Sequence, residues 1–468
     1  MSTLPPTTPA PVATAPAVAS AASKPLWRVF VAFLGPMVLG NVLQSMSGTL
    51  TSVFIGQMLG TQALAAMVAV FPILFLLVSL VIGIGAGASV LIAQAWGAKD
   101  MHKVKAIAGT TLFLGALIGL AIALVGEVFA DQLLLLLRTP ADVLPHAIGY
   151  ARVMMLAMPG LVVFILVSQM LRGVGDTTTP LFALLLSTTV SCVLTPAFIR
   201  GWAGLPQLGV SSAAAASVVS SVIALLYVGV HLRRRTHPLA PDRELWRALR
   251  MDRQLLAPVL RIGMPTGVQM IAVSLSEIAL LPLVNRFGSD ATAAFGAVNE
   301  VVNYVQFPAL SIAIASSIIG ARAIGAGRAG RLGAITRTGL MMNLLVTGSL
   351  VIVAYAFSRH LMALFITSEP VLVLAQSLLH IMLWSSVIFG CAAVLGGVMR
   401  ASGTVLVPTC ISVFCILAVE VPSAYGLAAA FGIEGVWMAY PIAFTAALIL
   451  QAAFYLLVWR KKKIERLA

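Results

Sequence analysis

The segment LRGVGDTTTP at residues 171–180 recurs as MRASGTVLVP at residues 399–408. The shift is 228 residues, and it places Gly175 on Gly403 and Arg172 on Arg400. Two further pairs of segments share this shift: ALAAM (63–67) with ATAAF (291–295), and AWGAKD (95–100) with AIGAGR (323–328). Three separate matches at one offset indicate that the chain is an internal duplication.

The composition excludes a soluble globular protein. Of the 468 residues 60% are hydrophobic and 9% are charged, and the mean hydropathy is +1.03. An apolar run of 18 or more residues is long enough to cross the roughly 30 Å hydrocarbon core of a bilayer as a helix. The chain is therefore predicted to be an all-α polytopic membrane protein.

Apolar runs bounded by charge, glycine or proline predict twelve transmembrane helices. They fall near residues 27–58, 63–93, 107–126, 148–171, 181–199, 209–230, 257–286, 291–319, 336–358, 373–398, 409–430 and 433–458. With the duplication, these form two six-helix bundles. Because six is an even number, both bundles enter the membrane in the same direction, related by a pseudo-two-fold axis along the membrane normal.

The distribution of basic residues predicts the orientation. Cytoplasmic loops carry an excess of Lys and Arg. With a cytoplasmic N-terminus, all but five of the 29 Lys and Arg lie on the cytoplasmic side; the five are Arg138, Arg152, Arg200, Arg286 and Arg359. We expect a multi-pass protein of the bacterial inner membrane with both termini in the cytoplasm.

The same reasoning divides the chain into five parts. Residues 1–24, rich in Pro, Ala, Ser and Thr, are predicted to be a disordered cytoplasmic tail. The N-lobe is residues 25–230 and the C-lobe is residues 257–459. A basic cytoplasmic linker, residues 231–256, joins the lobes, and residues 460–468 form a basic cytoplasmic tail.

The first helix of each half contains a proline near its start, Pro36 and Pro265. Proline removes an intrahelical hydrogen bond and bends the helix. We interpret the two prolines as hinges, with tolerated packing kinks as the alternative.

Acidic residues lie well inside apolar spans at only three positions, Glu277, Glu300 and Glu420. A charged side chain at the centre of a bilayer costs at least about 2.5 kcal/mol, so such a residue is neutral, paired or exposed to an aqueous cavity. The short connection 287–290 makes spans seven and eight a hairpin, which places Glu277 and Glu300 at one depth. We interpret these two as the cation-coupling residues; Glu420, near a span end, is more consistent with packing.

Polar residues at helical spacing accompany the two acids. Asn299, Asn303 and Gln269 are predicted to line a cavity, and the oxygens around the acids suit either H⁺ or Na⁺ as a coupling ion. We expect no metal site and no cofactor, and the four cysteines show no CxxC spacing.

The chain from about residue 27 to 458 resembles the multidrug and toxic compound extrusion (MATE) transporters of the bacterial NorM/DinF-like type. The resemblance is carried by GPMVLGNVLQSMSGTLTSVFIGQMLGTQALAAM (35–67), the repeated segment at 171–180, VLTPAFIRGWAGLPQLGVSSAAAAS (193–217) and FPALSIAIASSIIGARAIGAG (307–327). It implies export of cationic or amphipathic compounds by alternating access, driven by inward H⁺ or Na⁺, with Glu277 as a coupling carboxylate.

The sequence departs from this family where many members carry N-lobe aspartates. It has Thr51 in the first helix and Thr195 in the fifth. These residues, with Gln44 and Ser191, are predicted to line the substrate cavity, but a hydroxyl group does not titrate at physiological pH. Coupling would then depend on Glu277, with Glu300.

Other functions fit the sequence less well. A flippase for lipid-linked oligosaccharides would need several cations inside the spans, which hold almost no interior Lys or Arg. A membrane enzyme would need clustered aspartates, HExxH or a Ser and His pair, and the sequence shows none of these motifs. A channel or a purely structural scaffold remains the alternative. We therefore predict a monomeric, non-enzymatic efflux transporter whose partners are small-molecule drugs or toxic metabolites and the lipid bilayer, with no role for nucleic acid.

Overall fold

The computed structural model describes residues 25–136, 140 and 143–467. The predicted disordered tail, residues 1–24, lies outside the described residues, as does Ala468 at the end of the predicted basic tail.

Twelve described helices are long and apolar enough to cross a membrane, which confirms the predicted number of spans. Their bounds are α1 Leu26–Leu59, α2 Thr61–Gly97, α3 Met101–Leu136, α4 Leu144–Val174, α5 Thr178–Arg200, α6 Ser212–Arg234, α7 Arg253–Asn285, α8 Ser289–Gly325, α9 Leu332–Ala356, α10 Glu369–Ala401, α11 Leu406–Phe431 and α12 Ile433–Leu457. Short helices at Arg243–Ala248 and Ser358–Ala363 lie between them, and the described residues contain no strand.

The internal duplication is visible in the backbone. Positive φ angles recur at the repeat distance, in turns at the ends of corresponding helices. The pairs are Gly60 (88°) with Gly288 (97°), Lys99 (63°) with Gly327 (70°), Gly175 (84°) with Gly403 (77°), and Gly204 (80°) with Gly432 (62°). Glycine adopts this left-handed region without steric cost, so the repeated glycines allow tight connections between antiparallel helices.

The buried apolar residues form three clusters, and their distribution defines the shape. One cluster contains only N-lobe residues, from Ile55 to Ala214, and a second contains only C-lobe residues, from Leu280 to Tyr440. The third joins both lobes, near the linker and the end of α12. We call that side of the molecule the linker face and the opposite side the far face. The two lobes are packed together at the linker face and are separate at the far face.

Glycines allow the close approach of α2 and α7 between the lobes. A Cβ atom on Gly83 would lie 2.5 Å from both the carbonyl oxygen of Gly263 and the backbone nitrogen of Gly267. One turn further along α2, a Cβ on Gly87 would overlap the carbonyl oxygen of Val259. Small residues at helix crossings let backbones pack directly in membrane proteins. The contact between the lobes therefore depends on the absence of side chains at these positions.

The linker packs against the N-lobe. Asp242 caps the short helix Arg243–Ala248 by accepting a hydrogen bond of 2.9 Å from the backbone N–H of Leu245. Lys105 of α3 donates to Asp242 and Glu244 at 2.5 and 2.7 Å, and Leu245 is buried. The segment predicted only as a basic connection thus has a defined position on the N-lobe.

The turn between α4 and α5 is organised by Asp176. Its carboxylate accepts hydrogen bonds from Thr178 and Thr179, including both backbone N–H groups, and lies 3.8 Å from His237 of the linker. Burial alone would raise the pKa of Asp176, but the bonds from Thr179 and Thr178 and the charge of His237 outweigh burial and lower it. The ionised carboxylate therefore stabilises this turn.

We expect Asp176→Asn to reduce the free energy of unfolding by about 1–3 kcal/mol at pH 7, because hydrogen bonds to a charged group contribute about this much. Since the pKa of Asp176 is lowered on folding, the stabilisation is present above the unfolded pKa and is lost as pH falls through the folded pKa. The difference in the free energy of unfolding between the wild type and Asp176→Asn should be similar at pH 7 and pH 5. It should become smaller below about pH 4, where the unfolded carboxyl group is protonated. Thermal unfolding in detergent measures this difference, and Asp290→Asn serves as the control. Equal stability of Asp176→Asn and the wild type at pH 7 would contradict the stabilising role of the Asp176 carboxylate.

The C-terminal tail crosses from the C-lobe to the N-lobe at the linker face. Trp459 donates through Nε1 to Ser402 Oγ at 2.9 Å, in the C-lobe. Leu467 donates its backbone N–H to Gln94 Oε1 of α2 at 2.9 Å, and Gln94 Nε2 donates to the carbonyl of Ala401 at 2.8 Å. The fully buried amide of Gln94 thus binds two different parts of the other lobe.

Candidate functional site

A cleft between the lobes begins where α1 and α8 meet. Asn41 Nδ2 donates to Ser311 Oγ at 3.3 Å, and this hydrogen bond joins the two lobes. Beyond it, toward the far face, α1 and α8 belong to separate apolar clusters. From these separate clusters we infer a cleft that opens to the far face, with this bond at its floor.

The α8 side of the cleft is polar and aromatic. Glu300 precedes Ser311 by 11 residues, which is three helical turns, so both point to the same side of α8 about 16 Å apart. Tyr304 and Phe307 lie between them on that side, with ring centroids 5.6 Å apart. All three are at least partly exposed, whereas Val301 on another side of the helix is buried in the C-lobe.

The same reasoning places Glu277 on the cleft. It follows Val259 by 18 residues, which is five full turns, so it points to the side of α7 that meets α2 at the linker face. At its depth the lobes are separate, and Glu277 is exposed. On α2, Leu76 precedes Gly83 by two turns, so it points to the side of α2 that meets α7 at the linker face. Leu76 is exposed. Acidic groups on the C-lobe wall thus lie opposite an apolar N-lobe wall.

The carboxylate that the structure places beside Glu277 is Glu420. Ser276 Oγ donates to Glu420 Oε1 at 2.5 Å, and Glu420 is only 5% exposed. Glu277 is the next residue after Ser276, so both acids lie at this contact between α7 and α11. Glu300, which we paired with Glu277 from the sequence, has no ion pair or hydrogen bond from its side chain among the described contacts. Sequence analysis singled out Glu420 but interpreted it as a packing residue.

The other predicted lining residues have different surroundings. Gln44 and Asn303 are exposed, and Asn299, Gln269 and Ser191 are partly exposed. Thr51 is partly exposed, and its hydroxyl donates to the carbonyl of Ser47 in its own helix at 2.9 Å. Thr195 is 1% exposed and its Oγ1 has no hydrogen-bond partner, so the structure places it inside the N-lobe.

The predicted hinges, Pro36 and Pro265, both lie inside continuous helices. Pro265 falls between Gly263 and Gly267, at the close contact with α2. It therefore lies where α7 leaves the lobe contact and enters the cleft wall. No group of three or more His, Cys, Asp and Glu suited to a metal ion occurs in the part of the chain that the structure describes.

These features define an integral membrane protein of two duplicated six-helix lobes with a cleft between them. The MatE family model matches residues 36–197 and again residues 265–426, once in each lobe. The chain belongs to the MATE family of transporters, which are not enzymes and need no cofactor.

Relatives and solved structures agree with this assignment. The chain is 44% identical over 455 residues to the probable multidrug resistance protein YoeA of Bacillus subtilis, covering 97% of this chain and 98% of YoeA. It is 24% identical to the multidrug export protein MepA of Staphylococcus aureus, covering 88% and 89%. The fold is similar to a Vibrio cholerae MATE transporter, VcmN, with TM-score 0.86, 22% identity and coverage of 94% and 98%. It is also similar to an outward-facing MATE transporter, with TM-score 0.83, 23% identity and coverage of 91% and 94%.

Proposed function

We propose that the protein is a secondary active multidrug efflux transporter that exports cationic or amphipathic small molecules by alternating access, in exchange for H⁺ or Na⁺ moving inward. The relatives named for multidrug resistance and export support the substrate class. We place the protein in the bacterial cytoplasmic membrane, with both termini and the basic linker face in the cytoplasm, as the positive-inside rule predicts. It acts as a monomer.

The observation that carries the proposal is the one-sided cleft. The lobes share one apolar cluster at the linker face and have separate clusters at the far face. Two similar bundles of this kind can rock about their contact and open a central site to either side in turn. The cleft walls also suit an amphipathic cation, because Glu277 and Glu300 lie on the C-lobe wall and exposed apolar residues such as Leu76 lie on the N-lobe wall. A cation is favoured near carboxylates, and its apolar part is favoured on the opposite wall.

Drug transport into everted membrane vesicles tests the function, with the proton gradient and the sodium gradient imposed separately. We expect ethidium to accumulate inside vesicles containing the protein when the lumen is acidic or loaded with Na⁺, and to leak out when an ionophore collapses that gradient. Vesicles without the protein are the control. Ethidium flux that is insensitive to both gradients would contradict coupled export and would favour a channel.

A further inference from the structure

Glu420 occupies an irregular part of α11. Residues Cys415–Glu420 form a π-helical turn within this otherwise α-helical span. Pro422, two residues later, has no N–H group to donate to the carbonyl of Ala418. Isolated π-helical turns inside α-helices are frequent at functional sites, because the additional residue changes the direction of the side chains that follow. The local structure of α11 therefore fixes the position of Glu420.

The contact between Glu420 and α7 is specific. The Ser276 hydroxyl donates to one carboxylate oxygen, Oε1, and both side chains are buried. Glu277 lies beside them but is exposed on the cleft side of α7. A buried carboxylate is thus linked to the cleft through a second, accessible carboxylate.

In the part of the chain that the structure describes, neither acid forms an ion pair with a Lys, Arg or His. In α7 there is no Lys, Arg or His between Arg261 and Arg286, and α11 and α12 contain none. Tyr440 of α12 is buried near both acids, and the hydroxyl of Tyr425 donates to the carbonyl of Ala279 at 3.0 Å. In the cleft half of α8 the titratable residues are Asp290 at its start, and Glu300 and Tyr304 on the side that faces α1. Two neighbouring carboxylates in a low-dielectric site cannot both ionise without a large cost, so the pair retains a proton.

We propose that Glu277 and Glu420 together form the proton-binding pair of this transporter and that the driving ion is H⁺. The inference deepens the proposed function and rests on it. The Ser276 hydroxyl stabilises the ionised form of Glu420, and Glu277 exchanges the proton with the cleft. An organic cation in the cleft favours the doubly ionised pair, so its binding releases one proton; proton binding from the far face later displaces the cation. One positive charge replaces another at each step, so charge balances.

Proton release measures this exchange directly. Purified protein in weakly buffered detergent solution is mixed with tetraphenylphosphonium, and a pH indicator records the protons released. We expect about one proton per bound cation for the wild type, and at least a tenfold smaller release for Glu420→Gln. In proteoliposomes, Glu420→Gln should lose uptake against a gradient but keep downhill exchange of tetraphenylphosphonium. Glu434→Gln, an exposed acid at the start of α12, should match the wild type.

A milder variant keeps the inference testable if Glu420→Gln fails to fold. Ser276→Ala removes only the hydrogen bond to Glu420, and the pH midpoint of proton release should move to higher pH because the ionised pair is less stabilised. Wild-type proton release by Glu420→Gln, or an unchanged midpoint for Ser276→Ala, would overturn the proposal. Uptake driven by Na⁺ and not by H⁺ would overturn it as well. If the wild type takes up no cation against either gradient, the proposed function fails before any variant is compared.

Discussion

Gly83→Val is expected to lower drug efflux at least tenfold while leaving the protein in the membrane. A valine side chain at this position has no space, because its Cβ would lie 2.5 Å from the backbone of α7. Contacts this short force the helices apart, so the lobes could not pack together at the linker face. The variant should favour a state in which the linker face is open. Efflux of ethidium from cells, normalised to the amount of protein in the membrane, measures the effect.

Gly160→Val is the matched control for this experiment. Gly160 lies inside α4, and a Cβ atom there would have no neighbour within 4 Å. It therefore adds the same side chain to a membrane helix without disturbing the contact between the lobes. Spin labels on the linker-face ends of α2 and α8 would report the separation of the lobes directly. Wild-type efflux and an unchanged distance in Gly83→Val would show that the glycine contact is not needed for transport.

Glu277→Gln is expected to abolish coupled export without reducing the amount of protein in the membrane. The substitution keeps the size of the side chain and removes its charge and its exchangeable proton. It also relieves the repulsion from Glu420, so folding should not suffer. Ethidium efflux driven by an imposed gradient should fall to the level of cells without the protein. Glu434→Gln is the control, and unchanged gradient-driven efflux in Glu277→Gln would refute the role of this residue in coupling.

The sequence predicted the fold well because the strongest signals are local or periodic. Apolar runs predict spans from their length alone, and the match between 171–180 and 399–408 predicts the duplication. The structure adds that Gly175 and Gly403, within that match, both have a positive φ angle. The conformational need for glycine at the end of a helix is thus one reason why this segment remains recognisable in both halves.

The arrangement of the acids was less predictable. A hairpin fixes the depth of Glu277 and Glu300 but not the directions of their side chains, and Glu300 points to the side of α8 that faces α1. The partner of Glu277 comes from α11, 143 residues away. No spacing in the sequence signals that contact, and the π-helical turn that accompanies it has no sequence pattern of its own. Thr195 was a predicted lining residue through the family resemblance, but its burial depends on the packing of the whole N-lobe.

Gln94 was missed in the sequence although the repeat offered a signal. It corresponds to Arg322, just before the matched segments at 95–100 and 323–328. Both residues contact the opposite lobe: Gln94 binds Ala401, and the guanidinium of Arg322 lies against Gly175 and 5.8 Å from the ring of Phe33. A polar residue recurring at the end of a span, beside a glycine, indicates a contact between the two halves.

The path of the C-terminal tail has a consequence for biosynthesis. Leu467 follows Gln94, its hydrogen-bond partner in α2, by 373 residues, so it leaves the ribosome long after α2 has been made. The amide oxygen of Gln94 therefore has no bond to Leu467 until the C-lobe and the segment after α12 have been synthesised. The N-lobe thus lacks this contact while the C-lobe is being made, and the junction between the lobes is completed only after both have been synthesised.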